Sequence, residues 1–118
     1  MPASQSFPRA KRLLKRAEFE RVRREGSFVR GKLLSIGSLV VDGNELRAGF
    51  VTSRRIGNAV VRNRVRRRLR EIFRRHQDSL RRSQDLVMLA NPAGAKATFA
   101  ELEHEWLRLA KRTSILAP

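Results

Sequence analysis

Residues 54–71 read RRIGNAVVRNRVRRRLRE, and an apolar stripe threads this block of arginines at helical spacing. Val61, Val65, Leu69, Ile72, Phe73 and Leu80 recur at separations of three, four and seven residues, so they share one side of a repeat of about 3.6 residues. An arginine run without such a stripe could be an unfolded tail. With it, the segment is a helix that has one face to bury and one to offer. At about 100° per residue, Asn63, Arg67, Arg70 and Arg74 fall on the face opposite the stripe. Arg62 and Arg66 lie on one flank, and Arg64, Arg68 and Arg75 on the other. Gly57-Asn58 suits the opening turn, because an Asn side chain can cap the free backbone N–H groups of the first turn.

The basic character is concentrated in this helix. Residues 1–53 carry 11 Lys+Arg and 5 Asp+Glu, residues 54–82 carry 12 and 2, and residues 83–118 carry 4 and 4, for a net charge of +16. So much like charge on a small domain repels itself and calls for a polyanionic partner. Of the 27 basic residues 22 are Arg, whose planar fork pairs phosphate oxygens in twos and whose flat face stacks on bases. That bias favours nucleic acid.

A chain of 118 residues with 41% hydrophobic residues suffices for one domain with a modest core. Zero cysteines exclude a disulfide framework and thiolate metal sites, which fits a reducing cytoplasm. The amino end has no apolar core of signal-peptide length and no stretch approaches ~20 apolar residues, so a soluble cytoplasmic protein is expected, with no membrane partner.

Residues 1–12, with two prolines, small polar residues and bases, read as a flexible basic arm ahead of a single domain at residues 13–118. Residues 16–25 predict a short helix with Phe19 and Val22 facing inward, closed by Gly26 at a position that tolerates positive φ. Residues 27–41 are rich in Leu, Ile and Val; Gly31 and Gly37 suggest a break or bulge that splits off a short strand near Phe28-Val29. Asp42-Gly43-Asn44-Glu45 signals a hairpin into a strand at residues 46–53. After the arginine helix, residues 85–90 (DLVMLA) suit a buried strand ended by Asn91-Pro92. Thr98 and Glu101 have capping-box spacing, and Leu102, Trp106, Leu109 and Ala110 give the inward stripe of a last helix. The order implies an α+β sandwich, one mostly antiparallel sheet with helices packed against it.

No carboxylate pair, Ser/His/Asp set or Cys/His set is evident, so catalysis by this chain alone is not expected. His76 and His104 sit on predicted helices with no second ligand spaced for metal or proton work. Glu101, Glu103 and Glu105 alternate on a helix and read as a solvated face.

In residues 54–71 a basic pair (Arg54-Arg55) is followed by Gly57-Asn58-Ala59-Val60, one variable residue, Arg62-Asn63, and a basic helix from Arg64 to Glu71. In order and spacing this resembles the signature of the protein subunit of bacterial ribonuclease P. The resemblance extends more weakly to the helix with Phe19 ahead of Gly26, the hairpin, the strand at residues 86–90 and the terminal helix. It implies a single two-layer sandwich of order α-β-β-β-α-β-α whose strand-helix-strand crossover is left-handed, an exception to a strong rule. It implies a protein cofactor that joins a catalytic RNA, in a complex that hydrolyses the phosphodiester removing the 5′ leader of precursor tRNA. Mg²⁺ would act at an RNA-built centre.

Within that picture Arg54, Arg55, Asn58, Arg62, Asn63, Arg66, Arg67 and Arg70 are the candidates for contact with the catalytic RNA. The leader would lie in a groove between the first helix and the sheet, where Phe19, Arg23, Val51 and Ser53 are the candidates. Position 23 is Arg and the chain has no Tyr, where many members have aromatics; Arg23 can replace a ring by laying its guanidinium on a base. The alternative is a ribosomal-protein-like or general RNA-binding chaperone without a nuclease role. A DNA-binding regulator fits poorly, because the helix is charged too evenly to read bases and no helix-turn-helix partner precedes it.

Overall fold

The structure, a computed structural model, describes residues 15–113, 115 and 116. The arm expected at residues 1–12 lies outside them.

The elements run α1 (Arg16–Glu25), β1 (Ser27–Arg30), β2 (Leu34–Val40), β3 (Leu46–Val51), a 3₁₀ turn (Arg54–Ile56), α2 (Ala59–His76), β4 (Gln84–Ala90) and α3 (Phe99–Arg112). This is the expected α-β-β-β-α-β-α order. The four strands form one sheet in the order β1-β2-β4-β3. β1 and β2, and β2 and β4, pair antiparallel, whereas β3 and β4 are parallel, so the sheet is mostly antiparallel and α2 is the crossover between its parallel pair.

The 42–45 loop is not the hairpin its turn residues predicted. β2 and β3 run in opposite directions but never pair, because β4 lies between them. The loop straddles the start of β4: Val41 N–H donates to Ser83 O, and Gln84 N–H to Glu45 O. Four residues can span roughly 13 Å, enough to clear the two strand spacings, about 10 Å, that an inserted strand requires. β4 earns its central place by being apolar on both faces, as a strand paired at both edges and covered on both sides must be.

Leu86 and Met88 face one way, into a core with Leu34, Ile36, Leu46 and Ala48 that is closed by Val65, Leu69, Ile72 and Phe73 of α2 and by Leu102, Trp106 and Leu109 of α3. Each buried Val, Leu, Ile, Phe or Met among them contributes about 1.5–3 kcal/mol. Val87 and Leu89 face the other way, where Val22 and Phe19 of α1 pack on them. One face of the sheet is therefore fully covered, and the other is covered by α1 alone.

Helix ends follow side-chain chemistry. Asn58 Oδ1 accepts the Val61 N–H at 3.0 Å, as its place before the helix predicted. Thr98 Oγ1 accepts the Glu101 N–H while Glu101 accepts the Thr98 N–H, at 3.1 and 2.8 Å, completing the capping box. Three expectations are corrected. α2 ends at His76, so Leu80 is off the helix; it is buried all the same, bridged to Leu116. Gly26 has φ −89°, and glycine is needed there because a Cβ would lie 2.3 Å from Ser38 O. Gly37 makes no break or bulge: β2 runs through it in regular register with β1 and β4.

The predicted solvated glutamates also have structural work. Glu105 is buried and its Oε2 accepts the backbone N–H groups of Leu33 and Leu34, at 2.6 and 3.2 Å, tying α3 to the β1–β2 turn. Glu103 accepts from Arg75 and meets His76 Nε2 at 2.9 Å, with the imidazole stacked on Trp106.

Candidate nucleic-acid interface

Two surfaces concentrate unneutralised arginine. The first is the solvent face of α2 with the turn before it. Gly57 adopts φ 152°, a conformation open to glycine, and delivers the chain into the helix. Arg54, Arg55, Asn58, Asn63, Arg64 and Arg67 are all exposed. Arg54, Arg55, Arg64 and Arg67 make no side-chain hydrogen bond or ion pair with another described residue, so their forks are open to an external anion.

Their neighbours are held in place. Arg62 Nη1 donates to Gly57 O at 2.9 Å, and Arg66 donates to Thr52 Oγ1 at 2.6 Å and to Asn63 Oδ1 at 3.0 Å. These bonds fix two guanidinium groups on one flank and leave further N–H donors on each. Less ordering remains to be done when a phosphate arrives. On the other flank Arg68 donates to Ala97 O at 2.9 Å, and Arg75 lies 4.7 Å from the centre of the Phe99 ring. Arg70 is half-buried. Arg74 is engaged with Glu71, whose carboxyl is pulled below its ordinary range first by the Arg74 hydrogen bond, while the pair raises Arg74.

The second surface is a groove of about 960 Å³ on the sheet face that α1 leaves partly uncovered. Val87, Leu89 and Val51 make its floor, and Phe19, Arg16, Glu20 and Arg23 of α1 form a wall. Phe28 and Arg30 of β1 enclose the opposite side, and Ser35 and Asn91 add polar atoms. Arg55 completes the lining. Four arginines thus face one glutamate around an apolar floor. Arg55 belongs to both surfaces, which makes them continuous.

α1 is tied to the sheet by a part-buried ion-pair network centred on Arg47. Asp85 on β4 accepts from Arg47 Nε and Nη2 on β3, both at 2.9 Å, and Arg47 Nη1 also donates to Glu18 of α1. Glu18 in turn accepts the Lys15 N–H at the start of α1, at 2.6 Å. The Lys15 N–H, then Arg47, hold the Glu18 carboxyl below its ordinary range against the effect of burial. Asp85, opposed by desolvation and aided by Glu18, raises the Arg47 guanidinium.

Of the groove residues expected from sequence, Phe19, Arg23 and Val51 line it. Ser53 is exposed just beyond β3, at the head of the 3₁₀ turn, and is not among the lining residues. Phe28, Arg16, Arg30 and Asn91 were missed. The alternation of Phe28 and Arg30 on one face of a short strand was the available signal, but it gains meaning only once β1 is known to flank the open side of the sheet.

A family model described as ribonuclease P matches residues 7–114. Among curated relatives, the ribonuclease P protein component of Desulforapulum autotrophicum is 33% identical over 109 residues, covering 92% of this chain and 93% of that one. The component from Thermus scotoductus is 41% identical over 99 residues, 83% of this chain; the match spans only 57% of that relative's length. Among solved structures, the RNase P protein of Thermotoga maritima superposes with a TM-score of 0.78 at 26% identity, covering 87% of this chain and 97% of that one. The Staphylococcus aureus RNase P protein, at 24% identity, shares the fold with a TM-score of 0.84 over 92% of this chain and all of the other.

Proposed function

The chain belongs to the ribonuclease P protein family, and from that premise we propose that it is the protein cofactor of a cytoplasmic ribonucleoprotein endonuclease that matures the 5′ end of tRNA. The observation that carries this reading is the continuity of the two arginine surfaces through Arg55. The solvent face of α2 binds the catalytic RNA through Arg54, Arg55, Asn58, Arg62, Asn63, Arg66, Arg67 and Arg70. The groove holds the single-stranded leader of precursor tRNA as it leaves the cleavage site, with Arg23 and its neighbours on the phosphates and the apolar floor under the bases. Backbone charge and stacking without base readout suit a leader whose sequence varies.

The protein's contribution is positioning and charge neutralisation. Arg forks fixed by Gly57, Asn63 and Thr52 meet phosphates with little further ordering, and each neutralised phosphate releases condensed counterions. Mg²⁺ is assigned to the RNA. Among the described residues no group of three or more His, Cys, Asp or Glu side chains is placed to hold a metal ion.

The test is to incubate the purified protein with ribonuclease P RNA and a precursor tRNA at low Mg²⁺. Stimulated 5′ cleavage that weakens with rising salt is expected. RNA binding with no stimulation at any salt would overturn the assignment in favour of a general RNA chaperone.

A further inference from the structure

Phe28 belongs to neither apolar core of the molecule. It is 40% exposed, whereas Phe19, the other ring in the groove, is packed against Val22 and Val87 beneath α1. An exposed phenylalanine on a short edge strand needs a reason, and the register supplies one. Phe28 is the direct partner of Gly37 on β2, and a Cβ built on Gly37 would fall 2.5 Å from both Cε1 and Cζ of the ring. The ring therefore occupies the space that a side chain at position 37 would fill. It is braced against the β2 backbone and stands open to the groove.

The surroundings fit one kind of occupant. Gly37 is followed across the sheet by Val87, and the next rung on the same face, two residues along, reads Arg30, Ser35, Leu89, Val51. A flat apolar ring and floor thus lie within a border of Arg16, Arg23, Arg30 and Arg55. A nucleotide has the complementary build: a flat base with a π-face, attached to an anion.

Resting on the leader-binding reading above, we infer that Phe28 is the platform on which one base of the leader stacks, with Gly37 kept free of a side chain so that the ring can lie there. Phe28 is then a substrate-binding residue. It supplies from β1 the ring that β2, with glycine at position 37, does not carry.

The test uses the reconstituted complex of this chain with ribonuclease P RNA and two precursor tRNAs, one with a multi-nucleotide leader and one with a single-nucleotide leader. Phe28→Ala and Phe28→Leu are expected to weaken binding of the long-leader substrate about tenfold, the scale of one lost base–aromatic stack, and to leave the short-leader substrate unchanged. Phe28→Trp, which keeps a π-face, is expected to stay within about twofold of the native protein. Leucine preserves apolar contact over Gly37, so a loss in both Ala and Leu variants but not Trp separates stacking from packing. Native-like preference for the long leader in Phe28→Ala would overturn the inference, as would equal losses on both substrates. If the native complex itself shows no preference for the long leader, the leader-binding reading fails and Phe28 loses its occupant with it.

Discussion

Replacing Arg47 by alanine removes the guanidinium that holds Asp85 and reaches Glu18, and its cost can be worked from burial. The Asp85 side chain is 2% exposed and receives two hydrogen bonds from Arg47. Truncating one partner of a buried pair costs about 3–5 kcal/mol, chiefly because a charge is left buried without compensation. The Arg47 side chain is 26% exposed, so water can reach the vacated site, which places the expectation near the lower end, about 3 kcal/mol. A small domain is stable by roughly 5–15 kcal/mol, so the variant should still fold, with its Tm lowered by roughly 10–20 °C. The single Trp106, fully buried in the core, reports the urea transition by fluorescence. A loss below about 1 kcal/mol would refute the reasoning, since it would mean that Asp85 does not depend on Arg47. The apolar pair Arg47→Met with Asp85→Leu should recover most of the loss, because it removes both charges together.

The same substitution has a pH signature. Glu18 has its folded pKa below its unfolded one, so its contribution is complete above the ordinary carboxylate range and is lost as pH falls through the lowered value. Part of that contribution passes through Arg47, and the stability gap between native and Arg47→Ala proteins should narrow on acidification. The Lys15 N–H contribution survives in both. With the tether gone α1 loosens over the sheet, so, under the proposed assignment of the leader to the groove and the catalytic RNA to α2, leader affinity should fall more than affinity for the catalytic RNA.

Charge reversal at Arg67 and Arg70 should weaken binding to the catalytic RNA and reduce the salt slope of log K by roughly one unit per lost phosphate contact; an unchanged slope would count against α2 as the RNA face. Asn58→Ala should cost about 1 kcal/mol in thermal unfolding through loss of the helix cap, with little change in the sheet. In Gly31→Ala the new Cβ would lie 2.5 Å from Glu105 Oε2, so the carboxylate must withdraw from Leu33 and Leu34; denaturant melts should show a loss of about 1–3 kcal/mol.

The elements whose periodicity is local were legible in the sequence. α2 declared its buried stripe from Val65 to Phe73, and Asn58 and Thr98 declared their caps, because these depend on residues three and four apart. The partner of β3 was not legible. Asp42-Gly43-Asn44-Glu45 carries turn chemistry, and that chemistry fixes only that the chain reverses, not whether a later strand enters the gap. Glu105 misled for a related reason. Nothing in its spacing from Glu101 and Glu103 foretells two backbone N–H groups more than 70 residues away in sequence. Phe19, Arg23 and Val51 were found in the groove through a family resemblance, whereas Phe28 emerged only when its pairing with Gly37 was known.

The insertion of β4 also sets the order in which the molecule can assemble. Leu34 must wait for Ala90 and Leu46 for Gln84, so a nascent chain has made its whole arginine block before it has the strand that gives the block a shape. Such non-local pairing folds slowly. During that interval the block is a dense positive charge without a scaffold, and an RNA that binds only the finished surface draws the chain toward the folded state by mass action. Apparent stability should therefore rise with the concentration of the partner RNA.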